Sequence, residues 1–152
     1  MKVTLAKSSG FCSGVQHAVD TAMHIPPENV YLLGELIHNP AVTRAVKERG
    51  IVTVESVDEV PPGATLILRS HGVGREVYAA CKEKGISVVD CTCPFVKKTQ
   101  GIVKDRSAAG KTVVVVGEKT HPEVVGLCGW CTGEVLVCSD PAADFSALQG
   151  KE

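Results

Sequence analysis

With 152 residues, 44% of them apolar and 22% charged, the chain has the composition of an ordinary folded protein, which excludes a disordered segment. A net charge of -1 leaves no broad electrostatic footprint for nucleic acid or an acidic lipid surface, so any anionic ligand must be caught by a local set of donors. Seven unevenly spaced cysteines argue against a secreted disulfide framework, and with no apolar run of bilayer length the chain reads as cytoplasmic.

Short β-branched runs alternate with helical patterns along the whole chain. Strands are predicted over 2–6, 30–33, 51–54, 65–69, 86–90, 112–116 and 134–138, and helices over 14–23, 40–49, 75–84, 95–109 and 122–128. Gly50, Gly85 and Gly110 stand where three of these helices should stop. Runs such as VVVV are apolar on both faces, as expected of parallel strands covered on each side by helices. The expected fold class is therefore α/β, with largely parallel sheets flanked by helices and a break between two α/β units near 93–97.

The reactive side chains fall at one kind of place on this map. Cys12 follows the first predicted strand, His38 the second, His71 the 65–69 strand, Cys93 the 86–90 strand and His121 the 112–116 strand. In open parallel sheets the carboxyl ends of the strands are where ligands bind. Helix N-termini offer free N–H groups there, and imidazoles add further donors, so three converging histidines suit a diphosphate. Glu123, two residues after His121, is either a proton donor or a carboxylate that favours the first helical turn. No P-loop, GxGxxG turn or Ser-His-Asp set is present.

The cysteines divide by surroundings. Cys81 and Cys138 lie in core-like patterns and read as small buried hydrophobes. Cys12 and Cys93 sit among glycine, threonine and proline at junctions, where soft thiolates suit iron-sulfur or zinc ligation. Cys128 and Cys131 form a CxxC pair, a spacing shared by metal ligands and redox dithiols. With Cys91 and Cys93 they offer an alternative, a zinc-binding module. A metal-free phosphate-binding scaffold is a third reading.

The stretches GFCSGV, LGELIHNPAV, RSHGV, DCTCPFV and HPEVVG, in that order over residues 3 to about 130, resemble the LytB/IspH family of 4-hydroxy-3-methylbut-2-enyl diphosphate reductases in the non-mevalonate isoprenoid pathway. The resemblance implies a three-lobed α/β oxidoreductase around a 4Fe-4S cluster held by three cysteines. It implies Cys12 and Cys93 as two of those ligands, His38, His71 and His121 as diphosphate binders, and Glu123 as a residue that helps deliver a proton. The reaction it implies yields isopentenyl and dimethylallyl diphosphate, with ferredoxin or flavodoxin as electron donor. Cys91 stands where that family more often has alanine and reads as a bystander. Family members are longer, so 1–95 is expected to be a first lobe with cluster and diphosphate ligands, and 96–152 an incomplete second lobe. The third lobe and third cysteine are then expected outside this chain, a chain carrying that lobe becomes a candidate partner, and little activity is expected from residues 1–152 alone. The terminal DPAADFSALQGKE reads as the start of a linking helix.

Overall fold

The computed structural model describes residues 1–140, 142 and 146–150. Its elements follow one another as α1 (Ser13–His24), β1 (Val30–Leu33), α2 (Pro40–Glu48), β2 (Val52–Val54), β3 (Thr65–Leu68), α3 (Arg75–Glu83), β4 (Ser87–Asp90), α4 (Pro94–Ala108), β5 (Val113–Val116), α5 (Pro122–Cys128) and β6 (Val135–Cys138). Single 3-10 turns lie at Val57–Glu59 and Ser146–Leu148. The latter falls within the predicted linking helix, of which residues 141, 143–145, 151 and 152 lie outside the described residues. No described helix is long and apolar enough to cross a membrane.

The strands form a parallel four-stranded sheet in the order β2-β1-β3-β4 and a parallel pair β5-β6. Alternation along the central strand decides what each face buries. Leu66 and Leu68 enter one core with Val57, Val60, Val73 and Cys81, while Ile67, between them, enters the other with Ala18, Ala22, Val46 and Cys91. Helices α1 and α2 thus cover one face, and α3 with the 57–59 turn covers the other, as a βαβ sheet requires. Asn39 starts α2 by accepting from the N–H groups of Ala41 and Val42 at 3.0 and 3.3 Å, with Pro40 at the first helical position. The three predicted helix stops hold, with Gly50, Gly85 and Gly110 at φ +86°, +68° and +78°.

Two expectations are corrected. Residues 2–6 form no strand: they are exposed throughout, and no described strand pairs with them. The alternation of Val3 and Leu5 fits a strand, but a strand exists only where a partner satisfies its backbone, and a partner cannot be read from a five-residue pattern. The smaller sheet is covered on one face only among the described residues. Val115 packs with Val103, Val124 and Leu127, whereas Val116 is 80% exposed and Val114 points the same way.

Candidate functional site

Backbone bonds that continue beyond the strands bring the loops after β1, β3 and β4 into register. The N–H and hydroxyl of Ser70 both donate to the Leu36 carbonyl, at 3.2 and 3.0 Å. The Cys91 N–H donates to Leu68 at 3.1 Å and the Cys93 N–H to Ser70 at 2.9 Å. The stitching sets His38, His71 and Cys93 side by side at the carboxyl edge of the sheet. Helix α5 completes the edge, because Gly126 lies so close to the 72–73 backbone that a β-carbon there would stand 3.3 Å from the Gly72 carbonyl.

The three imidazoles form one cluster. Ring centroids are 4.4 Å apart for His38 and His71, and 5.8 Å apart for each of the other two pairs. The Nδ1 of His38 lies 3.3 Å from a Glu35 carboxylate oxygen, an acceptor for a proton on that nitrogen. His121 is the N-cap of α5, and its Nδ1 accepts from the Glu123 N–H at 3.2 Å, so the neutral ring carries its proton on Nε2, free to donate to a ligand. His71 has a buried Nδ1 with no protein partner. Burial first, then the neighbouring His38, Arg69 and His121, push its pKa down to about 4, with Glu35 opposing. Its resting state at neutral pH is the uncharged ring, in a setting that an anion would reverse.

A cavity of about 180 Å³ opens beside these rings, lined by Gly34, Glu35, His38, Glu55, Arg69, His71 and Pro122. Arg69 is a residue that the sequence reading passed over. Burial lowers its pKa and Glu55 supports its charge, and its Nε is buried without a partner. The signal was its place two residues before His71 at the end of β3, where a charged side chain enters the ligand edge.

One of the two candidate thiolates, that of Cys93, packs against Gly14. A β-carbon on Gly14 would stand 2.7 Å from the Cys93 sulfur and 3.3 Å from its Cβ, so this glycine forms the seat of the Cys93 thiol. Cys12, two residues earlier, is the N-cap of α1; its side chain is exposed and makes no cap hydrogen bond. It precedes a helix as expected, but no strand leads into it. Cys93 is likewise an uncapping N-cap, that of α4. Ser, Thr, Asp or Asn at such a position would stabilise the helix by about 1 kcal/mol, so cysteine at both forgoes stability where sulfur chemistry is available.

Substitution of Gly14 by alanine tests the seat. Helix propensity gains up to about 1 kcal/mol while the contact with Cys93 opposes it, so the denaturation midpoint should move little. The displaced sulfur should react faster with iodoacetamide, as read by peptide mass spectrometry; an unchanged Cys93 rate means that the thiol is not seated on Gly14.

The zinc-module alternative is overturned. Cys91 is 1% exposed in the α1/α2 core, whereas Cys128 and Cys131 border the core of the smaller sheet. No group of three or more candidate ligands is assembled among the described residues. Cys81, Cys91 and Cys138 are buried, as core packing predicts. Glu123 is half-buried beside His121, tied to it through its backbone N–H.

Comparison with known proteins gives a consistent result. The family model described as LytB protein matches residues 3–151. A 4-hydroxy-3-methylbut-2-enyl diphosphate reductase of Thermoanaerobacter sp. (strain X514) is 42% identical over 143 residues, covering 90% of this chain and 50% of that protein. One of Geobacter sp. (strain M21) is 45% identical over 141 residues, covering 91% and 50%. A solved structure of (E)-4-hydroxy-3-methyl-but-2-enyl diphosphate reductase, described as the terminal enzyme of the non-mevalonate pathway, superposes with a TM-score of 0.76 at 37% identity over 96% of this chain and 52% of that one. The corresponding reductase of Plasmodium falciparum gives 0.81 at 27% identity over 88% and 43%. The chain spans about half the length of the curated relatives first matched. With the parallel α/β fold and a family match over nearly its whole length, this chain belongs to the LytB protein family.

Proposed function

We propose that this chain supplies the diphosphate cradle and two cluster thiolates of a 4-hydroxy-3-methylbut-2-enyl diphosphate reductase. The observation that carries the reading is the convergence of His38, His71 and His121, with centroids 4.4 to 5.8 Å apart, at the edge that also holds Cys93. His121 donates to a phosphate oxygen through Nε2–H beside His38, which lines the cavity. His71 takes up a proton when the anion arrives, and Arg69 adds positive potential from beneath.

Cys12 and Cys93 fit two corners of a 4Fe-4S cluster, since both sulfurs stand at helix starts without capping duty and Gly14 leaves room for one of them. The cluster, when bound, supplies electrons to the allylic carbon. Overall the C–OH bond is replaced by C–H, with two electrons and two protons consumed and water released. Glu123 provides a proton to the departing hydroxyl. Within this reading residues 1–95 form the first lobe and 96–152 the beginning of a second. The third cysteine and remaining polar contacts come from the other half of the length that relatives have, and ferredoxin or flavodoxin delivers the electrons.

The test joins this chain to the remaining half of the Geobacter relative and reconstitutes iron and sulfide anaerobically. Brown colour and turnover of the hydroxylated diphosphate are expected, both lost in Cys12→Ser and Cys93→Ser. A chimera that turns over equally well without either thiol would sink the assignment.

A further inference from the structure

The CxxC pair has no part in the site just described. Helix α5 ends at Cys128, and Cys128, Gly129, Trp130 and Cys131 form a turn closed by the Cys131 N–H donating to the Cys128 carbonyl at 3.0 Å. Such a turn holds its first and last Cα atoms within about 7 Å, overlapping the roughly 4.4–6.8 Å that a disulfide spans. Both thiols are free and half-buried against the same small core. The Cys131 thiol donates only weakly, to the carbonyls of Gly133 and Glu134 at 3.5 and 3.7 Å, so little holds it in its reduced rotamer. The other five cysteines are placed differently: Cys81 and Cys91 in the cores of the larger sheet, Cys12 and Cys93 at helix starts, and Cys138 buried at the end of β6 with its thiol donating to the Asp140 carbonyl at 3.0 Å.

What lies between the two cysteines gives the pair a consequence. The Trp130 indole N–H donates to the Val73 carbonyl at 2.8 Å, and its ring stands 5.9 Å from that of Tyr78. A β-carbon on Gly129 would lie 2.6 Å from the Gly74 Cα, so the turn is pressed onto the 72–74 loop with no slack. That loop begins next to His71. The CGWC turn is thus a clasp between the smaller sheet's unit and the loop that presents a site imidazole.

We propose that Cys128 and Cys131 are a reversible oxidation site, forming an intramolecular disulfide at the expense of a low-molecular-weight disulfide such as oxidised glutathione and thereby altering the Trp130 clasp on the His71 loop. The exchange balances. One protein thiolate attacks the small disulfide and expels one glutathione thiolate, then the second protein thiolate attacks the mixed disulfide and expels the other. The protein loses two protons and two electrons, and glutathione disulfide becomes two thiols. The pair lies at the C-terminal end of its helix, where the dipole disfavours a thiolate, and burial with the neighbouring Cys131 raises the Cys128 thiol. That setting suits a slow sensor rather than a catalytic oxidoreductase, whose reactive cysteine sits at a helix N-terminus.

Trp130 is the only tryptophan and provides the readout. The whole chain is equilibrated in glutathione buffers of increasing oxidised fraction, alkylated, and mapped by mass spectrometry while tryptophan emission is followed. A Cys128–Cys131 peptide lighter by two hydrogens should appear with the same midpoint as a change in emission. Dithiothreitol should reverse both, and both should be absent in Cys131→Ser and in Cys128→Ser. Full alkylation of both thiols in fully oxidised glutathione, or glutathione retained on one of them as a stable mixed disulfide, overturns the site. A disulfide that forms with emission unchanged overturns the clasp.

Discussion

Replacing His71 by asparagine is expected to weaken inorganic pyrophosphate binding by about 10- to 100-fold at pH 7, the loss of one hydrogen bond to a charged group, about 1.5–3 kcal/mol. The more discriminating expectation is the pH dependence. In the free protein the imidazole pKa lies near 4, against 6.5 in an unfolded chain. Between those values the unfolded state binds more protons, so the stability contribution of the neutral ring is complete above about pH 6.5 and is lost as pH falls through about 4. Ligand binding runs the other way. A diphosphate beside the ring favours its protonated form, so binding takes up a proton and pyrophosphate affinity should rise as pH falls from 8 toward 6. Calorimetry in two buffers of different ionisation enthalpy measures that uptake. His71→Asn should flatten both trends; an affinity that keeps its pH slope in the variant assigns the proton to another group and removes His71 from the cradle.

The parts of this molecule that were legible in the sequence are those fixed by local rules. The 30–33 strand coincides with β1, the 122–128 helix with α5, and other matched boundaries shift by one residue at most, because alternation, Pro at helix starts and Gly at helix ends act within a few residues. The meeting of His38 and His71 was also foreseeable, since parallel topology sends both strands' carboxyl ends to one edge, whereas His121, after a strand of the second sheet, joins them through the packing of α5 on the 72–73 backbone. What failed needed a partner that the pattern does not contain. Residues 2–6 have a strand's alternation but no described neighbour, and of an imagined zinc site Cys91 is buried in a core of the larger sheet while Cys128 and Cys131 border that of the smaller one. Arg69 was overlooked for a related reason. A strand-terminal arginine usually reaches solvent, and only the folded position of Gly34 reveals the contrary: a β-carbon there would lie 2.5 Å from the guanidinium.

Ile67→Ala should be the most damaging conservative truncation in the larger sheet, at about 3–4 kcal/mol. The side chain is fully buried on the central strand, between helices α1 and α2 and the neighbouring strands, so loss of its methyl groups leaves a void that a doubly covered sheet cannot collapse into. Against a typical domain stability of about 5–15 kcal/mol this is a large fraction. Val88→Ala on the edge strand β4, where the side chain is 36% exposed, should cost about 1 kcal/mol or less. Urea denaturation followed by circular dichroism should show the Ile67 variant's midpoint well below that of the Val88 variant, with slopes unchanged. The comparison with His71→Asn then separates scaffold from site. Ile67 lies four residues before His71 on the strand that delivers it, yet its truncation should leave pyrophosphate affinity nearly intact under folding conditions. That follows because the Ser70 bonds to Leu36 and the Cys93 bond to Ser70 fix the loop independently of the core beneath. If truncation of Ile67 weakens pyrophosphate as strongly as removal of the imidazole, the loop takes its geometry from core packing, and the stitched carboxyl edge is not what positions the cradle.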